Sequence, residues 1–310
     1  MDIISILNII SAQECFSNQS FNDNWPRYKA FINNYLGEYP SSKKVQNLGM
    51  ELSSIFTKND TERGQSEVSV TGNVWSKFIN WYLNICLLGT NSWAVSSSQL
   101  LPPQVVRALE IRINGEKVSR SKEIVVVQYT GAENVDVVLP NDLSGVNLKK
   151  TYREAYKNFF KKIDLQEVRV ILLSPKTIAS DMLAIPLFWN FCYKGNKLNT
   201  VFDIEIGNHK ENPEIFKDNK VYYSVVTVPT GREDKIKAGT IPGKAQINKL
   251  QLLDGGFYWG RKPSDKVKSF DNFFLDNLDL NGFVGKEVSE NYEFTNYSRS
   301  VYYKLFNPQN

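Results

Sequence analysis

Two residues at the ends of apolar runs pose the first chemical question of this sequence. Asp136 lies in Glu133-Asn-Val-Asp-Val-Val-Leu-Pro140, and Lys176 leaves the end of Val168-Arg-Val-Ile-Leu-Leu-Ser-Pro-Lys-Thr177. A carboxylate entering a buried strand is costly unless something binds its charge, and a lysine leaving one raises the same problem. A divalent metal answers the first, and a water or phosphate answers the second. Mg²⁺ held by Asp136 and by a phosphate oxygen, with Lys176 orienting an attacking water or stabilising phosphoryl charge, suits phosphodiester hydrolysis. The same pair has a purely structural alternative, in which Asp136 caps a turn and Lys176 is a strand end in solvent.

Other chemistries lack their residues. The single histidine, His209, sits in the turn-rich Gly207-Asn-His-Lys-Glu-Asn-Pro213 with no second histidine to work with, which removes two-histidine phosphodiesterase and zinc-hydrolase mechanisms. There is no G-x-x-x-x-G-K-[ST] and no G-x-G-x-x-G after a strand, so phosphate-loop and dinucleotide-binding readings fall away. Cys15, Cys86 and Cys192 are too few and too widely spaced for a disulfide framework, and a reducing cytoplasm is the expected setting.

A second candidate feature is charge. Leu148 to Ile163 reads as a helix with Leu148, Tyr152, Ala155, Tyr156, Phe159 and Ile163 on its apolar face. It carries Lys149, Lys150, Arg153, Lys157, Lys161 and Lys162 against Glu154, a net +5 that exceeds the +4 of the whole chain. Lys149, Arg153, Lys157 and Lys161 recur every four residues, a stripe suited to DNA phosphates or, equally, to a solvated helix face. Arg232, Arg261 and Lys262, in two turn-rich loops, have the donors to read guanine in the major groove.

These groups need elements to hold them. The 310 residues, 42% hydrophobic, suffice for one large domain. Residues 3–10 predict a buried helix with Ile3, Ile4, Leu7 and Ile10 on one face, rather than an export signal. Val74 to Leu88 predicts a central buried helix stopped by Gly89. Val105–Ile113, Glu123–Tyr129, Asn134–Leu139 and Glu167–Leu173 predict strands, with the basic helix crossing between the last two, which are expected side by side. The expected architecture is α/β: a central mixed β-sheet flanked by helices, with a helical N-terminal part over 1–97 packed on a mixed α/β core over 98–310. No segment reaches the ~18 apolar residues of a membrane span.

The run Ser174-Pro-Lys-Thr-Ile-Ala-Ser-Asp-Met-Leu-Ala-Ile-Pro-Leu-Phe-Trp189 resembles a stretch of type II restriction endonucleases of the PD-(D/E)XK fold. Gly72-Asn-Val-Trp75 ahead of Trp81-Tyr-Leu-Asn84, Val226-Thr-Val-Pro-Thr230 and Gly255-Gly-Phe-Tyr-Trp-Gly260 are similar to further segments of that group, in the same order. The resemblance implies a restriction-endonuclease-like fold, double-stranded DNA as substrate, Mg²⁺ as cofactor, a catalytic site at Asp136, Ser174 and Lys176, and Asp136 as metal ligand. It also implies a homo-oligomer or companion restriction subunits. The sequence departs from the group where Ser174 stands in place of a metal-binding Gln or Glu, and where Ser76 replaces an expected glutamate. The alternative is therefore a non-catalytic DNA-binding or assembly subunit with a degenerate site.

Overall fold

The computed structural model describes residues 2–37, 42–57, 65–118, 124–131, 135–138, 146–176, 204–207, 221–227 and 258–259. Four helices come first: α1 (Ile3–Cys15), α2 (Gln19–Leu36), α3 (Ser42–Thr57) and α4 (Gln65–Leu87). Asp2 caps α1 by accepting from the Ser5 amide and the Ser5 hydroxyl, both at 2.7 Å, which satisfies an otherwise orphaned donor of the first turn. The sequence predicts one buried face for α1, but Ile6, Ile9, Asn8 and Ser11 are buried as well. In α2, Asn18 is the N-cap, and Phe21, Trp25, Tyr28, Ile32 and Leu36 form the buried stripe. Their rings meet those of α4: Tyr28 stacks on Phe78 at 4.8 Å, and Trp25 meets Trp81 edge-on at 4.8 Å. Such pairs add about 0.5–1.5 kcal/mol each to the area they bury.

After Gly89, whose φ of 79° ends the helical region, the chain turns into β1 (Ser92–Val95). Then follow α5 (Pro103–Ala108), β2 (Ile111–Ile113), β3 (Glu116–Lys117), β4 (Ile124–Tyr129), α6 (Leu148–Thr151), α7 (Arg153–Lys162), β5 (Val168–Lys176), β6 (Ile204–Ile206), β7 (Val221–Thr227) and β8 (Tyr258–Trp259). The main sheet has the order β1-β4-β5-β7-β8, antiparallel from β1 to β5 and parallel from β5 to β8. A smaller antiparallel sheet, β3-β2-β6, contains a hairpin turned by Asn114 and Gly115 at φ of 53° and 79°, the left-handed pair that a tight two-residue turn requires. The fold is thus mixed α/β, with a mixed central sheet and helices packed on it. One continuous core runs from Ile3 to Leu173, so the N-terminal helices share it with the sheet.

Three expectations are corrected. Val105 and Val106 belong to α5, not to a strand, because Pro103 with its fixed φ opens a helix just before them. The described part of the expected strand Asn134–Leu139 does not lie beside β5: both edges of β5 are taken, by β4 and by β7. The described part, 135–138, makes only an isolated bridge between Asp136 and Asp2. The basic helix does not link neighbouring parallel strands either, since β4 and β5 are antiparallel. The stretch that carries it returns the chain to the same sheet in the opposite direction.

The outer edge of β1 is closed by side chains rather than by another strand. Asn84 accepts from the Ala94 amide at 3.1 Å and donates to the Ala94 carbonyl at 2.8 Å. Ser11 donates to the same carbonyl at 2.6 Å, and Asn8 donates to the Ser92 carbonyl at 3.0 Å. All three side chains are buried. Replacing Asn84 by Leu keeps the volume and removes both bonds, stranding the Ala94 amide in the core. Urea denaturation of Asn84→Leu should show a loss of about 1–3 kcal/mol.

Beside this network lies Cys15, fully buried and free, its thiol donating to the Ser11 carbonyl at 3.4 Å. Burial pushes that thiol from 9.0 up to about 11. The folded state holds the proton more tightly than the unfolded chain does, so this contribution is complete below pH 9 and disappears as pH rises toward 11. Stability measured across that window should fall more steeply for the natural chain than for Cys15→Ala, and equal slopes would contradict the assignment.

Candidate nucleic-acid interface

The basic segment folds as two short helices set by local capping. Asn147 accepts from the Lys150 amide at 3.0 Å and starts α6. The helix breaks at Tyr152 (φ −99°, ψ 13°), and α7 resumes at Arg153. The Tyr152 hydroxyl donates to the Val138 carbonyl, tying segment 135–138 to the break. α7 turns Phe159 and Phe160 onto the sheet. Phe160 stacks on Trp93 at 6.3 Å, and Phe159 meets Tyr129 edge-on at 5.6 Å. Trp93 lies opposite Val127 and Tyr129 opposite Val168, so both aromatic residues stand on one face of the sheet with α7 over it. Gln104 of α5 donates to the Phe160 carbonyl at 2.9 Å and holds the end of α7.

This anchoring presents the opposite side of the two helices to solvent. A cleft of about 570 Å³ opens there, lined by Gln99, Asn147, Lys149, Lys150, Arg153, Tyr156 and Lys157. The structure therefore gathers three of the four cations expected in the stripe, Lys149, Arg153 and Lys157, and adds Lys150. Lys161 is exposed, donates to Asn158 at 3.1 Å and lies outside the cleft. Lys149 is paired with Glu14 from the last turn of α1. Tyr156 is 4% exposed; burial raises its phenol above the ordinary range, opposed by Lys149 and Arg153, while Glu14 and Glu154 reinforce the rise. Its hydroxyl keeps its proton at neutral pH and is a donor in the cleft wall. Gln99, Asn147 and Tyr156 had no signal of their own in the sequence, where Tyr156 reads only as part of the apolar face.

Asp136 is the residue expected to hold Mg²⁺, with Ser174 and Lys176 beside it in the expected catalytic site. Asp136 is exposed, and water solvates its charge, so it needs no metal to be tolerated. Its neighbour across the bridge, Asp2, has its carboxylate committed to Ser5. Ser174 is 1% exposed, an uncharged hydroxyl inside β5. No group of three or more His, Cys, Asp or Glu converges among the described residues. Lys176 is the last residue of β5, in backbone register with Thr227. Arg232, Arg261 and Lys262 lie outside the described residues. Ser76 is buried within α4. No helix among the described residues is long and apolar enough to cross a membrane.

No protein-family model, curated protein or solved structure matches this chain.

The Glu14–Lys149 pair is partly exposed, at 23% and 30%, so it contributes on the scale of a surface pair. A double-mutant cycle with Glu14→Gln and Lys149→Met should return a coupling of about 0.2–1 kcal/mol. A value near zero would mean that the pairing is incidental.

Proposed function

We propose that this chain binds double-stranded DNA as a restriction-endonuclease-like protein, with the cleft of α6 and α7 as its phosphate-contacting surface and a DNA-binding or assembly role within a restriction system. The observation that carries the reading is the convergence of Lys149, Lys150, Arg153 and Lys157 on one cleft, with no carboxylate in its lining among the described residues. Clustered cations release condensed counterions from nucleic acid, which supplies sequence-independent affinity. The mixed sheet with helices packed on it agrees with the architecture that the resemblance implies. The placement of Asp136 and the burial of Ser174 favour the non-catalytic role over cleavage by this chain alone. Companion subunits, or a second copy of the chain, would then carry the cut.

A second reading, Mg²⁺-dependent hydrolysis by this chain, is supported by Lys176 at the end of a central strand of the sheet. The two are separated by a supercoiled-plasmid assay with Mg²⁺, run with the purified chain and with companion subunits added. The non-catalytic role predicts binding without nicking by the chain alone, and full cleavage by assemblies carrying Asp136→Ala or Lys176→Ala. Conversion of cleavage to nicking by either variant would establish the hydrolytic reading. Reversing Lys149, Arg153 and Lys157 to Glu should weaken DNA binding for all sequences alike. It should also flatten the salt dependence, by about 0.9 in log–log slope for each phosphate that is no longer neutralised. Unchanged affinity in that variant would remove the cleft from the interface.

A further inference from the structure

The cleft is concave, and donors predominate among its side-chain hydrogen-bonding groups. Among the described residues that line it, four are cationic and none is acidic. Ammonium and guanidinium groups donate and cannot accept. Asn147 has its side-chain oxygen engaged by the Lys150 amide, which leaves the amide nitrogen to donate. Tyr156, in the wall, carries a protonated hydroxyl. Such an arrangement favours a compact group with many acceptor oxygens and more than one negative charge. An internal phosphodiester offers two free oxygens and a single charge. A terminal phosphate offers three and approaches two charges at neutral pH, and a cleft of about 570 Å³ is of the size that encloses a small ligand.

Among the described residues, the carboxylate that reaches this lining comes from outside it. Glu14, on α1, holds Lys149, while Lys150, Arg153 and Lys157 have no carboxylate partner among the described residues. A partly exposed pair of this strength yields readily to a better anion.

We infer that the cleft is a phosphomonoester-binding site that takes the 5′-terminal phosphate of a nucleic-acid strand, with the phosphate replacing Glu14 on Lys149. For the origin of that phosphate the inference rests on the DNA-binding reading; a free nucleotide carries the same chemistry. Arg153 supplies the planar fork for two phosphate oxygens, and the lysines supply point charges around the third. Glu14 sets the threshold: it keeps Lys149 oriented when the cleft is empty and competes with weaker anions.

The test uses the full chain with 3′-labelled duplex and single-stranded oligonucleotides, each carrying either a 5′-phosphate or a 5′-hydroxyl, followed by fluorescence anisotropy. The 5′-phosphate should tighten binding by about tenfold, the gain expected of a few charge-assisted hydrogen bonds. Lys150→Ala with Arg153→Ala should erase that difference while thermal unfolding remains cooperative, and Glu14→Gln should enlarge it several-fold. Calorimetric titration with a deoxynucleoside 5′-monophosphate and with its parent nucleoside distinguishes the sources. Binding of the monophosphate alone, with no oligonucleotide bound, would support the site and refute the DNA reading. Equal affinity for phosphorylated and hydroxyl ends, with DNA binding intact, would overturn the phosphomonoester site and leave the DNA reading standing.

Discussion

An edge strand buried inside a protein must find partners for its backbone, and here that requirement falls on β1. One side of the strand pairs with β4; the other would leave amides and carbonyls without water or partners, at a cost of about 1–3 kcal/mol each. Asn84, Asn8 and Ser11 meet the requirement from two helices. The solution fixes more than the strand. It locks α1 and α4 in position relative to the sheet, and Asn80 extends the network by donating to Ser11 at 3.1 Å. β1 in turn carries Trp93, against which α7 packs. The orientation of the basic cleft therefore traces back, through one tryptophan, to amide groups on the far side of the strand.

Much of this was legible where a segment's own composition decides its state. Continuous apolar runs identified β4 and β5, and α4 was recognisable as a buried helix. What composition could not show was the purpose of the polar residues within those helices. Asn8 and Asn84 look like interruptions of an apolar pattern until the strand edge that they serve is in place. The alternating run around Asp136 has the period of a strand but lacks a neighbour, since a sheet position exists only if an adjacent strand leaves an edge open. Val105 and Val106 show the converse: β-branched residues go into a helix when a proline sets its first turn. Asn114-Gly115, a short hairpin signal not among the elements expected from the sequence, marks the turn of the smaller sheet.

The candidate site divides along similar lines. Its positive charge was evident from a count along one segment, because like charges four residues apart fall on one side of a helix whatever the fold. Its concavity was not. The break at Tyr152 and the contribution of Gln99 depend on how two separate pieces of chain meet. Glu14 lies 135 residues from the lysine that it holds, and nothing local to either residue announces the pairing.

The closure of β1 also has a meaning in time. The bonds from Ser11 to Ala94 and from Asn8 to Ser92 span 83 and 84 residues. During synthesis at about 5–20 residues per second, α1 is complete roughly 4–16 s before the strand it caps exists. For that interval α1 has apolar residues on nearly all sides, and the Asn8 amide and the Ser11 hydroxyl lack the strand carbonyls that they bind in the folded protein. The polar groups of the first helix thus wait on a strand of four residues that lies much later in the chain.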